Sequence, residues 1–152
     1  MPLQTLIAPL TLPFRQPTPH GFYGARRPTD TSKPKDHEHQ GVDLPGADGE
    51  TILAVGDGKI VPSDPGVGQL VRVLLLDDGR AVVYADLGTA DAQPGTVLKA
   101  GSKVGTIKKH DPKSHTGGFV HVAIRESRFG KFMDPTGIIP YDSSRVPNKS
   151  VA

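Results

Sequence analysis

Cysteine is absent from this 152-residue chain. That excludes disulfides and thiolate metal sites, so any metal here would be held by imidazole and carboxylate. An oxidising compartment is not excluded, because a domain of this size needs no covalent staple. Aromatic side chains are scarce too: three tyrosines, five phenylalanines and no tryptophan leave little with which to stack bases. The formal charge of +2, from 18 basic and 16 acidic residues, adds no electrostatic case for nucleic acid. No stretch approaches the roughly 18 uninterrupted apolar residues of a membrane helix. The opening Met1-Pro2-Leu3-Gln4 has neither the basic region nor the apolar region of a secretory signal. Extracellular or periplasmic action would therefore need another route, such as carriage on a larger assembly or a leader outside this sequence.

Glycine and proline are plentiful, at 18 and 15 residues, and they suit a turn-rich sheet protein better than a helical bundle. Pro13, Pro17 and Pro19 would interrupt any early helix. Residues 6–10 read as a short edge strand, Gly21-Phe22-Tyr23-Gly24 as a turn with an aromatic anchor, and residues 29–38 as a polar loop. Residues 49–55 and 59–62 read as a hairpin about Gly56-Asp57-Gly58. Residues 69–76 and 80–86 read as a second one about Asp77-Asp78-Gly79. Short strands separated by glycine follow over residues 95–107. After a loop at 108–118, alternation over 119–124 sends Phe119, His121 and Ala123 to one face. The pattern predicts an all-β antiparallel β-sandwich with little helix, and a tail beyond Asp134-Pro135 that wraps the surface. The head is basic, with Arg15, Arg26, Arg27, Lys33 and Lys35 against Asp30 and Asp36. Such a patch can steer an anionic polymer or simply be a solvated surface.

The chemistry concentrates in His39-Gln40-Gly41-Val42-Asp43 and in His121, which lies within an apolar run. Two imidazoles and one carboxylate form a ligand set that binds zinc and leaves a fourth position for water. A spacing of four about Gly41 lets a loop curl around an ion, and His121 would add a ligand from a pleated strand. The alternatives are a hydrogen-bonded loop pair for His39 and Asp43 and a buried, satisfied imidazole for His121. His37 would share a face with His39 in an extended segment. Without the Gly41 and Asp43 spacing, it reads as a supporting or solvent-exposed residue.

Further patterns run in order along the chain. His39-Gln40-Gly41-Val42-Asp43 matches a His-x-Gly-x-Asp signature, and residues 49–60 give a glycine-bounded strand with an Asp-Gly turn. Tyr84-Ala85-Asp86-Leu87 stands for Tyr-x-His-Leu, and residues 94–105 match a glycine-rich stretch. Thr116-Gly117-Gly118-Phe119-Val120-His121 aligns with Thr-Gly-x-His-Leu-His, and a late Asp134-Pro135 follows. In this order they resemble the lysostaphin-like, LytM-type zinc metalloendopeptidases, peptidase family M23, whose members commonly cut peptides of bacterial peptidoglycan. The resemblance implies a β domain of the duplicated hybrid type over residues 24–140, with an N-terminal extension at 1–23 and a tail at 141–152. It also implies a Zn2+ cofactor on His39, Asp43 and His121. The segment 24–27 is expected near the metal face, with Tyr23 and Arg26 close to His39.

The departures from the family pattern fall on the chemistry. Asp86 and Phe119 stand where the family carries two further histidines, thought to manage the attacking water and the oxyanion. Phe119 can do neither task. Asp86 can act as general base, yet its charge would oppose a developing oxyanion. Donors for that oxyanion would come from Tyr84, His115 or His20, with His115 the best placed in sequence, although an exposed loop histidine is the alternative for it.

Two functions follow from the resemblance. One is a zinc endopeptidase hydrolysing peptidoglycan peptides, with Asp86 and His115 as catalytic residues. The other is a catalytically degenerate, zinc-containing wall-binding or structural module, carried in a phage tail, an injection apparatus or another secretion assembly. A β-sandwich without zinc, with a carbohydrate- or protein-binding surface, is the smaller alternative.

Overall fold

Alternating apolar residues, broken every few positions by glycine or Asp-Gly, build ten short strands and no helix among the described residues. The computed structural model describes residues 2–11, 40–63, 70–113 and 117–141. The larger sheet runs in the order β1 (Val42–Pro45), β9 (Phe119–Arg125), β5 (Ala81–Ala85), β4 (Arg72–Leu76), β3 (Gly58–Val61) and β7 (Val97–Leu98). The short β10 (Phe132–Met133) pairs with the end of β9. A second sheet holds β2 (Thr51–Leu53), β8 (Lys103–Ile107) and β6 (Leu87–Thr89). Every pairing is antiparallel. The all-β sandwich expected from the sequence is the architecture found.

The core lies between the two sheets. Val120, Val122 and Ile124 of β9, with Leu74, Val82 and Tyr84, face Ile52, Leu87, Val104 and Ile107, all nearly or fully buried. Each such aliphatic side chain contributes about 1.5–3 kcal/mol on burial. The opposite phase of β9 carries Phe119 and His121, which stay partly accessible, so strand alternation itself puts His121 on the outer face of the larger sheet.

The hairpin across Asp77-Asp78-Gly79 forms as expected, β4 against β5. Gly79 sits at φ +97, a left-handed conformation that favours glycine. The hairpin expected across Gly56-Asp57-Gly58 does not form. β2 pairs with β8 in the small sheet, whereas β3 pairs with β4 and β7 in the large one. The intervening residues are a corner between sheets. Gly101 donates to the Ala54 carbonyl at 2.8 Å and Ala54 donates to that of Ser102 at 2.7 Å, which ties the corner to the β7–β8 turn.

Residues 6–10 form no regular strand, but they lie along the same corner. Ile7 donates its N–H to the Val55 carbonyl (2.9 Å) and Leu53 donates to that of Pro9 (2.8 Å). Proline has no N–H to continue such a ladder, while Leu6 and Leu10 are buried. Gln4 fastens the segment. Its side-chain amide donates to the Asp57 carbonyl (2.8 Å) and accepts from the Asp57 N–H (2.7 Å). Its backbone N–H donates to Asp78 Oδ2 (2.9 Å), and its carbonyl accepts from Arg80 Nη2 (2.9 Å). At the other end of the chain, the residues after Asp134-Pro135 do more than wrap the surface: Ile139 enters the core, and Ile138 and Tyr141 pack against it.

Candidate functional site

The register of β1, β9 and β5 places Asp43, His121 and Ala85 in one row across the larger sheet. Directly opposed residues of an antiparallel pair have Cβ atoms about 5 Å apart, which lets a carboxylate and an imidazole meet. Asp43 Oδ1 and His121 Nδ1 are 3.0 Å apart, with side chains 12% and 20% exposed. An ionised carboxylate only accepts, so Nδ1 carries the proton, and a neutral ring then presents Nε2 as its acceptor.

Three glycines make this geometry possible. A Cβ on Gly41 would stand 2.5 Å from the Val122 carbonyl oxygen and 2.9 Å from both Cε1 and Nε2 of His121, so the imidazole occupies space that any other residue would fill. At the entry to β9, Gly117 and Gly118 have φ of +76 and +77. Gly118 donates to the Lys108 carbonyl (2.7 Å) and accepts from Gly46 (2.9 Å), which fixes the start of β9 with Phe119 opposite Pro45.

Asp86 directly follows the row, at the point where the chain leaves β5 for β6 in the other sheet. It has φ +59, the one described non-glycine residue with positive φ, and its side chain is exposed. Asp tolerates this conformation better than most residues, though it still costs about 1 kcal/mol. Tyr84 has no access to chemistry on the outer face. It is fully buried; its hydroxyl accepts from Val55 N (3.1 Å) and donates to the Leu53 carbonyl (3.2 Å), and burial pushes its pKa upward. It is therefore a core residue and not an oxyanion donor. His20, Tyr23, Arg26, His37, His39 and His115 lie outside the described residues.

The strand register thus brings together two of the expected ligands, and they bond to each other. Among the described residues, no group of three or more His, Cys, Asp or Glu side chains is placed to hold a metal ion. That finding corrects two expectations, the Zn2+ cofactor and the zinc endopeptidase activity built on it; His39, the expected third ligand beside Asp43 and His121, lies outside the described residues. Among the described residues, the donor set does not fit the metal that the resemblance implies.

The model of peptidase family M23 matches residues 37–135. The chain belongs to peptidase family M23. This M23 chain is similar to the catalytic domain of the antimicrobial peptidase lysostaphin from Staphylococcus simulans, at 24% identity and a TM-score of 0.61, over 76% of this chain and 86% of that one. It covers about half, 47%, of lysostaphin in a longer form. A mutant catalytic domain of the prophage-encoded M23 protein EnpA from Enterococcus faecalis is 25% identical with a TM-score of 0.62, over 85% and 95% of the two chains. A zinc-containing peptidase from Vibrio cholerae is 23% identical with a TM-score of 0.58, over 77% of this chain and 35% of that one. No curated protein sequence matches. Among the described residues, no helix of this M23 chain is long and apolar enough to cross a membrane.

Proposed function

We propose that this chain is a non-catalytic member of its family, a module that binds bacterial peptidoglycan and serves in wall recognition or as a structural part. The observation that carries the reading is that, among the described residues, no group of three or more His, Cys, Asp or Glu side chains is placed to hold a metal ion, around the Asp43–His121 pair at 3.0 Å or elsewhere. The two positions read from the resemblance as histidine replacements point the same way. Phe119 is half-buried opposite Pro45 and has no proton to transfer. Asp86 is exposed at a left-handed turn, and its charge would oppose a tetrahedral oxyanion. Loss of one oxyanion donor costs an enzyme of this kind about 3 kcal/mol of transition-state stabilisation, so loss of both histidines would leave little rate to select.

The same sheet that would have presented substrate to a metal still offers its outer face to an extended peptide. Binding without turnover needs only that surface. With peptidoglycan as its partner the chain would act outside the cytoplasm, and a phage tail or a secretion assembly is the vehicle proposed.

The test is incubation of the full chain with purified sacculi from several peptidoglycan chemotypes, with and without added zinc. Protein that sediments with the sacculi and releases no new amino termini supports the reading. Release of peptides dependent on Asp43 and His121 would overturn it.

A further inference from the structure

Between β9 and β10 the chain reverses over residues 126–131, closed by the Glu126 N–H on the Lys131 carbonyl (2.9 Å) and the Gly130 N–H on that of Ser127 (3.1 Å). From Arg125 to Phe132 the turn and its base carry three cations, Arg125, Arg128 and Lys131, against one acid, Glu126. The guanidinium carbons of Arg125 and Arg128 lie 4.8 and 5.0 Å from the ring centroids of Phe132 and Phe129. Arg125 Nε donates to the Gly130 carbonyl at 2.8 Å. Arg128 is held less firmly: its Nη2 makes one long contact, 3.4 Å, with the Pro62 carbonyl, and its Nε is buried with no hydrogen-bond partner. Phe129, beside it, is 69% exposed.

We propose that this turn binds a phosphate-bearing glycopolymer of the bacterial cell wall, an inference that rests on the wall-binding reading above and names the wall component recognised. A guanidinium already stacked on a ring loses little freedom when it meets an oxyanion. A buried donor without a partner is uncommon and marks a place where a water or an ion belongs. Two cations within one short reversal and a third at its base suit a ligand whose charge recurs along its length, as in a phosphodiester chain. A stem peptide offers isolated carboxylates instead. The accessible Phe129 ring provides an apolar platform for the sugar or polyol unit between two phosphates. A bilayer fits less well. This turn has one large exposed apolar side chain, and a guanidinium stands over its ring, which leaves too little apolar area to immerse.

The experiment is sedimentation of the full chain with intact Gram-positive walls, with the same walls stripped of phosphate polymers by hydrofluoric acid, and with phosphatidylglycerol vesicles. Wild type is compared with Phe129→Ser, with Arg128→Gln plus Lys131→Gln, and with Lys131→Glu alone. Lys131 is exposed, so the last variant keeps the test valid if the double variant melts early. The expected result is about tenfold or more weaker retention on stripped walls, matching the loss of one or two charge-assisted hydrogen bonds. A similar loss is expected for each variant on intact walls, with no further loss on stripped ones. Equal retention of wild type on intact and stripped walls overturns the inference and leaves the wall-binding reading standing. No retention on either overturns both. Vesicle binding lost in the same variants overturns it in favour of a lipid headgroup.

Discussion

Gln4 donates its backbone N–H to the carboxylate of Asp78, 74 positions further along the chain, at 2.9 Å. The same carboxylate takes three hydrogen bonds from the Arg80 side chain at 2.7–3.2 Å, and the pair is almost wholly out of solvent, with side chains 1% and 9% exposed. Burial by itself would raise the Asp78 pKa. The bonds from Arg80 and Gln4 outweigh it and bring the value from 3.8 down to about 2. Because the folded value is depressed, this group's stabilisation is complete above about pH 4 and is lost as pH falls towards 2. A contribution of about 2 kcal/mol is expected. Urea denaturation of wild type and Asp78→Asn from pH 6 to pH 2 should show curves that converge at the acid end; a gap that stays constant would refute the assignment.

Gly41→Ala should be among the most damaging single methyl additions in this protein. The new carbon would press on the backbone oxygen of Val122 and on the His121 ring, and neither can withdraw without disturbing the β1–β9 ladder. A loss of about 2 kcal/mol or more is expected, together with displaced NMR resonances for the His121 ring. An unchanged melting temperature with unshifted His121 signals would show that the close approach is not required.

Tyr84→Phe separates a core role from a chemical one. The substitution leaves the Val55 N–H and the Leu53 carbonyl without their buried partner, at a cost of about 1–3 kcal/mol. Retention on sacculi should be unchanged at a temperature where both proteins are folded. A variant as stable as wild type but deficient in wall binding would place the hydroxyl at the ligand instead.

Asp86→Gly should stabilise. Removing Cβ relieves the left-handed strain at φ +59, while added freedom of the unfolded chain takes back part of the gain, for a net of about 0.5 kcal/mol. Chemical denaturation checks the sign. Clear destabilisation would mean that the Asp86 side chain makes a contact worth more than the strain.

The parts of the fold legible in the sequence are those fixed by short-range rules. Asp77-Asp78-Gly79 announces its hairpin because Gly79 must take positive φ, and the alternation of β9 assigns His121 to the outer face. Gly56-Asp57-Gly58 has the same local look, yet β2 and β3 choose different partners, because strand pairing there is decided by packing between sheets. The meeting of Asp43 with His121 spans 78 positions; the residue types hinted at it, but only the register shows them bonded to each other. Tyr84 falls in phase with Val82 on an inward-facing side, so the alternation of β5 by itself marks it as a core residue. Nothing local foretold the partners of Gln4, which lie 53 to 76 residues away.

The passage of the chain from β2 to β3 has a mechanical corollary. Four residues, 54–57, link a strand of one sheet to a strand of the other. The same stretch is stitched by hydrogen bonds to Ser102, Gly101 and Gln4. A pull that tries to peel the layers apart would load all of these fastenings at once instead of unzipping them one by one.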